Sequence, residues 1–263
     1  MQTVVLLDGQ YRLMTTQPPR VLTIAGSDSG GGAGIQADIR TITNLGGHAM
    51  TAVTAVTAQN SAGVTAIEIM TSDMVLAQIW AVMDDFGIDA VKIGMLGSVD
   101  NALAVAGFLK SVRGKAVIFD PVMVATSGAE LSDDGTVAVF HKIIPHVTLV
   151  TPNLQEMERL GGEEIISDYD ARFLLKGGHG DKDVLTDRLI DRNGDIASWE
   201  GSRIDTKHNH GTGCTLSAAI ATYLSTGDPI EDAIAKAREY VRESLKTAPG
   251  FGMGSGPMGV PRQ

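Results

Sequence analysis

The order of strand-like and helix-like segments constrains this chain most. Short apolar runs typical of buried strands alternate with longer segments whose apolar residues recur at helical spacing. The predicted strands span residues 21–25, 50–58, 64–70, 91–95, 116–119, 147–150 and 173–176. The predicted helices span residues 34–45, 73–86, 101–112, 133–143, 154–160 and 228–246, with one more in the run 209–221. This alternation predicts an α/β fold, a mostly parallel central sheet with helices on both faces.

Several local patterns refine this prediction. The segments 184–191 and 196–200 flank a turn that contains Asn-Gly, so they predict an antiparallel hairpin. Trp80 follows the apolar spacing of its helix and is expected in the core. Asp228 is predicted to cap the last helix, with Pro229 at its first position. Three isoleucines are predicted to share the buried face of the first helix: Ile35, Ile39 and Ile42.

Composition and charge limit the classes of function. The chain has 263 residues and a formal net charge of −10, which argues against nucleic acid as a general partner, since phosphate backbones bind basic surfaces. Its single cysteine allows no internal disulfide and favours a cytoplasmic location. No apolar run reaches the length of a membrane span. We expect one domain at 21–248, an N-terminal extension at 1–20 and a loose glycine-rich tail at 249–263.

The run 209–221 predicts an anion-binding helix start. Gly211, Thr212 and Gly213 precede a helical stretch of small residues, and the free N–H groups at a helix start attract phosphate. Cys214 lies in the same turn, where a helix N-terminus can lower the pKa of a thiol. The pattern therefore suits phosphoryl transfer to an alcohol, although a lone cysteine among small residues also suits simple packing.

Other candidate residues follow the ends of the predicted strands, where ligands of parallel sheets bind. The glycine-rich loop 25–34 suits a backbone wall around a ligand, and Asp38 on the next helix suits either an amine or the helix start. Gln59 offers an amide for one edge of a heterocycle, or is an ordinary loop residue. Lys176 ends a buried strand and could reach either solvent or a nucleotide phosphate.

Two carboxylates suggest a magnesium site. Asn153 and Glu156 have the spacing of a capping box, which by itself explains both residues. Alternatively, Glu156 and Asp120 hold Mg²⁺ through water, since this ion takes one or two carboxylates together with phosphate oxygens.

Seven motifs occur in order along the chain, at residues 22–38, 57–60, 92–96, 119–123, 151–156, 176–179 and 210–215. Together they closely resemble those of hydroxymethylpyrimidine/phosphomethylpyrimidine kinases of thiamine biosynthesis, in the ribokinase-like superfamily. The resemblance implies a three-layer fold and two successive phosphorylations with MgATP, first of 4-amino-5-hydroxymethyl-2-methylpyrimidine and then of its monophosphate. It also implies a homodimer, which the residues alone do not indicate.

The resemblance further implies a role for each candidate residue. Cys214 stands at the position of the catalytic base, where many relatives carry Asp, and the glycines before it form the anion hole with Thr212. The residues implied at the pyrimidine are Gly26, Asp38, Gln59, Met95 and Val122. The residues implied at MgATP are Asn153, Glu156 and Lys176. A closing flap is implied over residues 122–130.

The chain departs from the family pattern at one segment, and two other functions stay open. The segment 161–171 is too short for the full helix that the family usually has there. This casts doubt on the nucleotide edge, the side of the site where MgATP is implied. A pyridoxal or pyridoxine kinase of the same superfamily is one alternative, since both substrates carry a hydroxymethyl group. A non-catalytic pyrimidine-binding protein is another, in which the short segment has cost the protein its ATP binding.

Overall fold

A computed structural model describes residues 2–7, 10–15, 17–126, 128–177 and 183–261 of the chain. Its strands are β1 (Gln2–Leu7), β2 (Gln10–Thr15), β3 (Arg20–Asp28), β4 (His48–Asn60), β5 (Gly63–Ile69), β6 (Ala90–Ile93), β7 (Ala116–Phe119), β8 (Leu149–Val150), β9 (Arg172–Leu175), β10 (Val184–Asp191) and β11 (Gly194–Ser202). Its α-helices are α1 (Gly34–Asn44), α2 (Ser72–Asp85), α3 (Val99–Leu109), α4 (Asp134–Ile143), α5 (Leu154–Leu160), α6 (Thr212–Ser225) and α7 (Ile230–Lys246).

Nine strands of the described chain form one sheet in the order β11-β10-β9-β8-β7-β6-β3-β4-β5. Strands β3, β4, β6, β7, β8 and β9 run parallel, while β5, β10 and β11 pair antiparallel at the two edges. The mostly parallel sheet and the hairpin at one edge confirm two predictions. The carboxyl ends of the parallel strands meet along one edge of the sheet, which positions the candidate site.

Helices cover both faces of the sheet, so the fold has three layers. On one face, α2, α3, α4 and α5 pack around a cluster that includes Ile79, Phe119 and Phe140. On the other face, α1, α6 and α7 enclose a second cluster that includes Ile42 and Ile220. The central strands carry apolar side chains on both faces of the sheet, which explains why the sequences of these strands are almost continuously apolar.

Three local predictions are wrong. Ile39 is 38% exposed and Trp80 is 39% exposed, so neither belongs to the core; the Trp80 ring meets the edge of Phe108 instead. Pro229, not Asp228, is the N-cap of α7. The Asp228 carboxylate instead accepts a 2.8 Å hydrogen bond from Lys236, almost two turns into that helix, and forms an ion pair with it.

The segment 161–171, where the chain departs from the family pattern, is short but still forms a full crossover from β8 to the parallel strand β9. After α5 the chain forms a 3₁₀ helix over Glu163–Asp168 and enters β9, which pairs in parallel with β8. A 3₁₀ helix rises about 2 Å per residue, compared with 1.5 Å for an α-helix, so few residues cover the return path. The crossover therefore delivers Lys176 to the carboxyl edge of the sheet.

The glycine-rich tail is bound to the domain and is not loose as predicted. The N–H of Gly259 donates to the carbonyl of Ser244 at 2.9 Å, and the carbonyl of Gly256 accepts from the N–H of His210 at 3.1 Å. Met258 is buried. At the other end of the chain, β1 and β2 form a separate antiparallel pair. Among the described helices, none combines the length and apolar character needed to cross a membrane.

Candidate active site

The start of α6 lies against the glycine-rich loop. Gly211, the N-cap, has φ +88°, and a Cβ there would lie 2.0 Å from the carbonyl oxygen of Gly32. Only glycine satisfies both constraints, because other residues disfavour this φ and carry a Cβ. The N-cap has no side chain to bond the first turn, so the N–H groups around Gly213 and Cys214 can bind an anion.

Lys176, Asp120 and Glu156 meet beside this helix start. The Nζ of Lys176 lies 2.9 Å from Oδ1 of Asp120 and 3.8 Å from Oε2 of Glu156. A Cβ placed on Gly213 would lie 3.4 Å from Lys176 Nζ and from Asp120 Oδ2. Burial alone would lower the pKa of Lys176, but the two carboxylates raise it above its ordinary value. A charged ammonium therefore lies next to the N–H groups of α6.

The predicted capping box is confirmed. Asn153 accepts a 2.8 Å bond from the N–H of Glu156, whose carboxylate accepts from the N–H of Asn153 at 2.8 Å. A backbone bridge joins Asn153 to Lys176 on the neighbouring strand. The cap thus fixes the Glu156 carboxylate next to Lys176.

The donor set at this point fits magnesium only in part. The described residues contain no group of three or more metal-ligating side chains. Asp120 and Glu156 both approach Lys176, and two carboxylates with water and phosphate oxygens suffice for Mg²⁺. Two residues of the lysine motif, Gly178 and His179, lie outside the described residues.

Cys214 is not the activated thiol that its position at a helix start predicts. Burial raises the pKa of Cys214 to about 11, and the carboxylates of Asp38 and Asp120 add to this effect. Lys92 and the N–H of Gly34 act in the opposite direction without reversing it. The thiol is therefore protonated at neutral pH in the unliganded protein, because burial and the two carboxylates outweigh Lys92 and the N–H of Gly34.

Asp38 is not open to a ligand in this structure, nor does it lie in the first turn of α1. Its side chain is fully buried, and Oδ2 lies 2.9 Å from Nζ of Lys92, which is also fully buried. The hydroxyl of Thr23 donates to the same oxygen. Burial would lower the pKa of Lys92, but Asp38, Cys214 and Asp120 raise it. The amine that Asp38 binds here belongs to the protein itself.

The other four residues predicted at the pyrimidine lie at or just after the carboxyl ends of parallel strands. Gly26 and Met95 are adjacent, since a Cβ on Gly26 would lie 3.0 Å from Sδ of Met95. The half-buried Val122 follows Asp120 and donates its N–H to the Asp120 carbonyl at 2.8 Å. The Gln59 amide lies 3.2 Å from the ring of His210.

Two features were missed by sequence reasoning. The first is the buried pair of Lys92 with Asp38. Lys92 interrupts an otherwise apolar strand, and such a residue is rarely buried without a partner, so this position could have revealed the pair. Asp28 and His210 form a second buried pair at 3.0 Å, although 182 positions separate them. No sequence pattern could have found the second pair, because only the tertiary fold brings these two loops together.

Comparisons with known proteins identify the family of this chain. The family model described as phosphomethylpyrimidine kinase matches residues 28–259. The hydroxymethylpyrimidine/phosphomethylpyrimidine kinase of Rhizobium meliloti is 42% identical over 90% of this chain and 95% of its own. The bifunctional thiamine biosynthesis protein ThiED of Geobacter sulfurreducens is 44% identical, and this chain spans about half of its length, 51%.

Solved structures show the same architecture. A phosphomethylpyrimidine kinase from Clostridium difficile superposes with a TM-score of 0.75, at 36% identity over 86% of this chain and 99% of its own. An ADP complex of Bacillus subtilis pyridoxal kinase superposes with a TM-score of 0.81, at 30% identity over 92% of this chain and 97% of its own. The fold is thus that of the ribokinase-like kinases, and the chain belongs to the phosphomethylpyrimidine kinase family.

Proposed function

We propose that this protein phosphorylates 4-amino-5-hydroxymethyl-2-methylpyrimidine with MgATP and then phosphorylates the resulting monophosphate. The observation that supports this most is that Lys176 lies beside the start of α6. Its Nζ would lie 3.4 Å from a Cβ placed on Gly213. A fixed cation and a set of N–H groups converge there on one point, as a transferring phosphoryl group requires. The curated relatives at about 40% identity carry names of this activity.

The reaction follows from the positions of these groups. The hydroxymethyl oxygen attacks the γ-phosphorus of ATP, the bond from this phosphorus to the β–γ bridging oxygen breaks, and ADP leaves. Lys176 and the N–H groups of the anion hole (Gly211, Thr212 and Gly213) balance the negative charge on the phosphoryl oxygens. The hydroxyl proton passes to Sγ of Cys214, which accepts it only as a thiolate. Because the free thiol is protonated at neutral pH, this step is expected to speed up as the pH rises.

Asp120 and Glu156 are the residues proposed to hold Mg²⁺, through water. When bound with ATP, this ion would neutralise phosphate oxygens. The contacts of Glu156 with Asn153 and of both carboxylates with Lys176 support this assignment, because they bring the two carboxylates together. We propose Gly26, Gln59, Met95 and Val122 for the pyrimidine, and give Asp38 a supporting position beneath them.

The experiment that tests this function is a product analysis. Purified protein is incubated with Mg²⁺, ATP and the hydroxymethylpyrimidine, and the products are followed by mass. Successive appearance of the monophosphate and the pyrophosphate supports the proposal. ATP consumption with pyridoxal, and none with the pyrimidine, would contradict it in favour of the vitamin B6 kinases, which share this fold.

A non-catalytic binding protein is the alternative from another class. Two features argue against it: the complete crossover from β8 to β9, and the backbone bridge between Asn153 and Lys176. Both keep the residues proposed for MgATP together. Calorimetry with ATP in the presence of the pyrimidine separates the two, since a non-catalytic protein would bind the pyrimidine alone. The homodimer is likewise a proposal, and sedimentation of the purified protein tests it.

A further inference from the structure

His210 joins three segments that surround the candidate site. It directly precedes Gly211, and its side chain is buried. Its Nε2 lies 3.0 Å from Oδ2 of Asp28 in the glycine-rich loop and 3.2 Å from the Gln59 amide at the end of β4. Its Nδ1 lies 3.2 Å from the hydroxyl of Thr126 in the segment 122–130.

The hydrogen bonds that Asp28 accepts decide which nitrogen of the His210 ring carries a proton. Asp28 Oδ2 already accepts the N–H groups of Gly32 at 2.9 Å and Ala33 at 2.8 Å. Burial would raise the pKa of Asp28, but its bonds from His210 and the backbone lower it, so Asp28 is an ionised acceptor. The imidazole must therefore carry its proton on Nε2, and a protonated Nε2 has no lone pair for an amide N–H.

The same counting decides which end of the Gln59 amide faces the ring. With its nitrogen toward His210, the amide oxygen lies 3.1 Å from the Thr57 hydroxyl, which also lies 3.0 Å from the Ser27 carbonyl. One hydroxyl proton cannot serve both acceptors. Turning the amide by 180° removes the clash of two donors at Nε2: Gln59 Oε1 then faces the His210 N–H, which it shares with Asp28 Oδ2. The amide N–H then reaches the Thr57 hydroxyl, and Thr57 donates to the Ser27 carbonyl. Oxygen and nitrogen of an amide are assigned from such networks.

We propose that His210 is a positioning residue that sets the orientation of the Gln59 amide and thereby the ligand edge that this amide reads. With one lone pair bound to His210 and one N–H bound to Thr57, Gln59 offers one lone pair and one N–H side by side. These match a ring edge with an adjacent donor and acceptor, such as the amino group and neighbouring ring nitrogen of a 4-aminopyrimidine. A pyridine ring without an amino group lacks this edge.

The inference rests on the proposed function for its ligand, but its central geometry can be tested without one. Nitrogen NMR of the unliganded full chain labelled in its six histidines reports which ring nitrogen of His210 is protonated. The resonance is assigned by its loss in His210→Phe or His210→Gln. A proton on Nε2 supports the proposal, and a ring protonated on Nδ1 alone overturns it. This result stands even if the protein proves to phosphorylate something else.

The second test measures the Kd of the hydroxymethylpyrimidine by calorimetry and the KM values of both substrates. His210→Phe removes the ring nitrogens, so we expect the pyrimidine Kd to rise about 5- to 100-fold, with the KM for ATP unchanged. His210→Gln keeps a donor near the position of Nε2 and should restore most of the pyrimidine affinity. The matched control is His48→Phe, the same change at the exposed far end of β4. Equal losses of affinity in His210→Phe and His210→Gln would overturn the proposal.

A double-mutant cycle tests whether His210 acts through Gln59. In a Gln59→Met background, His210→Phe should add no further loss of pyrimidine affinity, because the amide that it orients is gone. If the two losses multiply instead, His210 acts on the ligand by another route and the proposal is wrong. Should His210→Phe fail to fold, the NMR result and the His210→Gln measurement still decide the question.

Discussion

The Nζ of Lys92 lies 2.9 Å from Oδ2 of Asp38, and both side chains are fully buried. One residue lies in the central strand β6 and the other on α1, so the pair joins the sheet to the layer that contains α6. Cys214 and Asp120 act electrostatically on this lysine. The ammonium of this pair thus lies within electrostatic reach of Cys214, the proposed base.

Removing one member of this pair should destabilise the protein strongly. Asp38→Asn leaves the Lys92 ammonium buried without a counter-charge, so we expect the free energy of unfolding in urea to fall by about 3–5 kcal/mol. Asp38→Asn combined with Lys92→Met removes both charges and should recover most of this loss. The control is Asp228→Asn, which breaks the exposed pair with Lys236 and should cost at most about 1 kcal/mol. Equal costs for the two single changes would contradict a buried ion pair.

The single cysteine allows a direct measurement of its thiolate fraction. With a pKa of about 11, Cys214 should react with iodoacetamide slowly at pH 7, and the rate should rise about tenfold per pH unit up to pH 10. In the protein unfolded by urea, the same rate should level off above the ordinary thiol pKa of about 8.5. A plateau near pH 8 in the folded protein would show an activated thiol and contradict the effect of burial.

Cys214→Ala tests the role of the thiol in catalysis. We expect kcat to fall by about 10²- to 10⁴-fold, the usual contribution of a positioned base, with the Kd of the pyrimidine largely unchanged. In the wild-type protein, kcat/KM should rise with pH above neutrality, and this rise should disappear in the variant. Near-full activity of Cys214→Ala would remove the assignment of the base.

Lys176→Met tests the nucleotide edge. The loss of the ammonium removes the positive charge beside the start of α6, so we expect ADP affinity measured by calorimetry to fall about 10- to 100-fold. Asp120, whose side chain is only 2% exposed, also loses its partner, so the melting temperature should fall as well. Lys115→Met, near the opposite ends of the parallel strands, is the control and should change neither value appreciably. Unchanged ADP affinity in Lys176→Met would place the nucleotide elsewhere.

Gly211→Ala tests the close approach of the helix start to the glycine-rich loop. A Cβ there would lie 2.0 Å from the Gly32 carbonyl oxygen, in addition to the strain of φ +88°. The control is Gly227→Ala beyond the other end of α6, where φ is +93° but no atom lies within 4 Å. We expect Gly227→Ala to lose about 1–2 kcal/mol of stability, and Gly211→Ala to lose more together with most phosphoryl transfer. Equal stability and activity in the two variants would contradict this packing.

The sequence by itself determined the α/β class, the edge hairpin, the capping box of α5 and most element positions. Each depends on local spacing: apolar residues repeat with the period of their element, and Asn153 lies three residues before Glu156. The motifs of the candidate site could be predicted for the same reason, because each occupies one continuous run of the chain. Gly211 and Cys214 lie at a helix start, as the glycine run indicates.

Only the tertiary structure decided what the polar side chains of the site contact. Asp38 could face a ligand or the interior, and its burial with Lys92 depends on where α1 lies on the sheet. The high pKa of Cys214 arises from its burial, and Asp38 and Asp120, which are remote in sequence, raise it further. His210 meets Asp28 across 182 positions because two loops converge at one edge of the sheet. Burial and charge depend on distance in space, which local spacing does not specify.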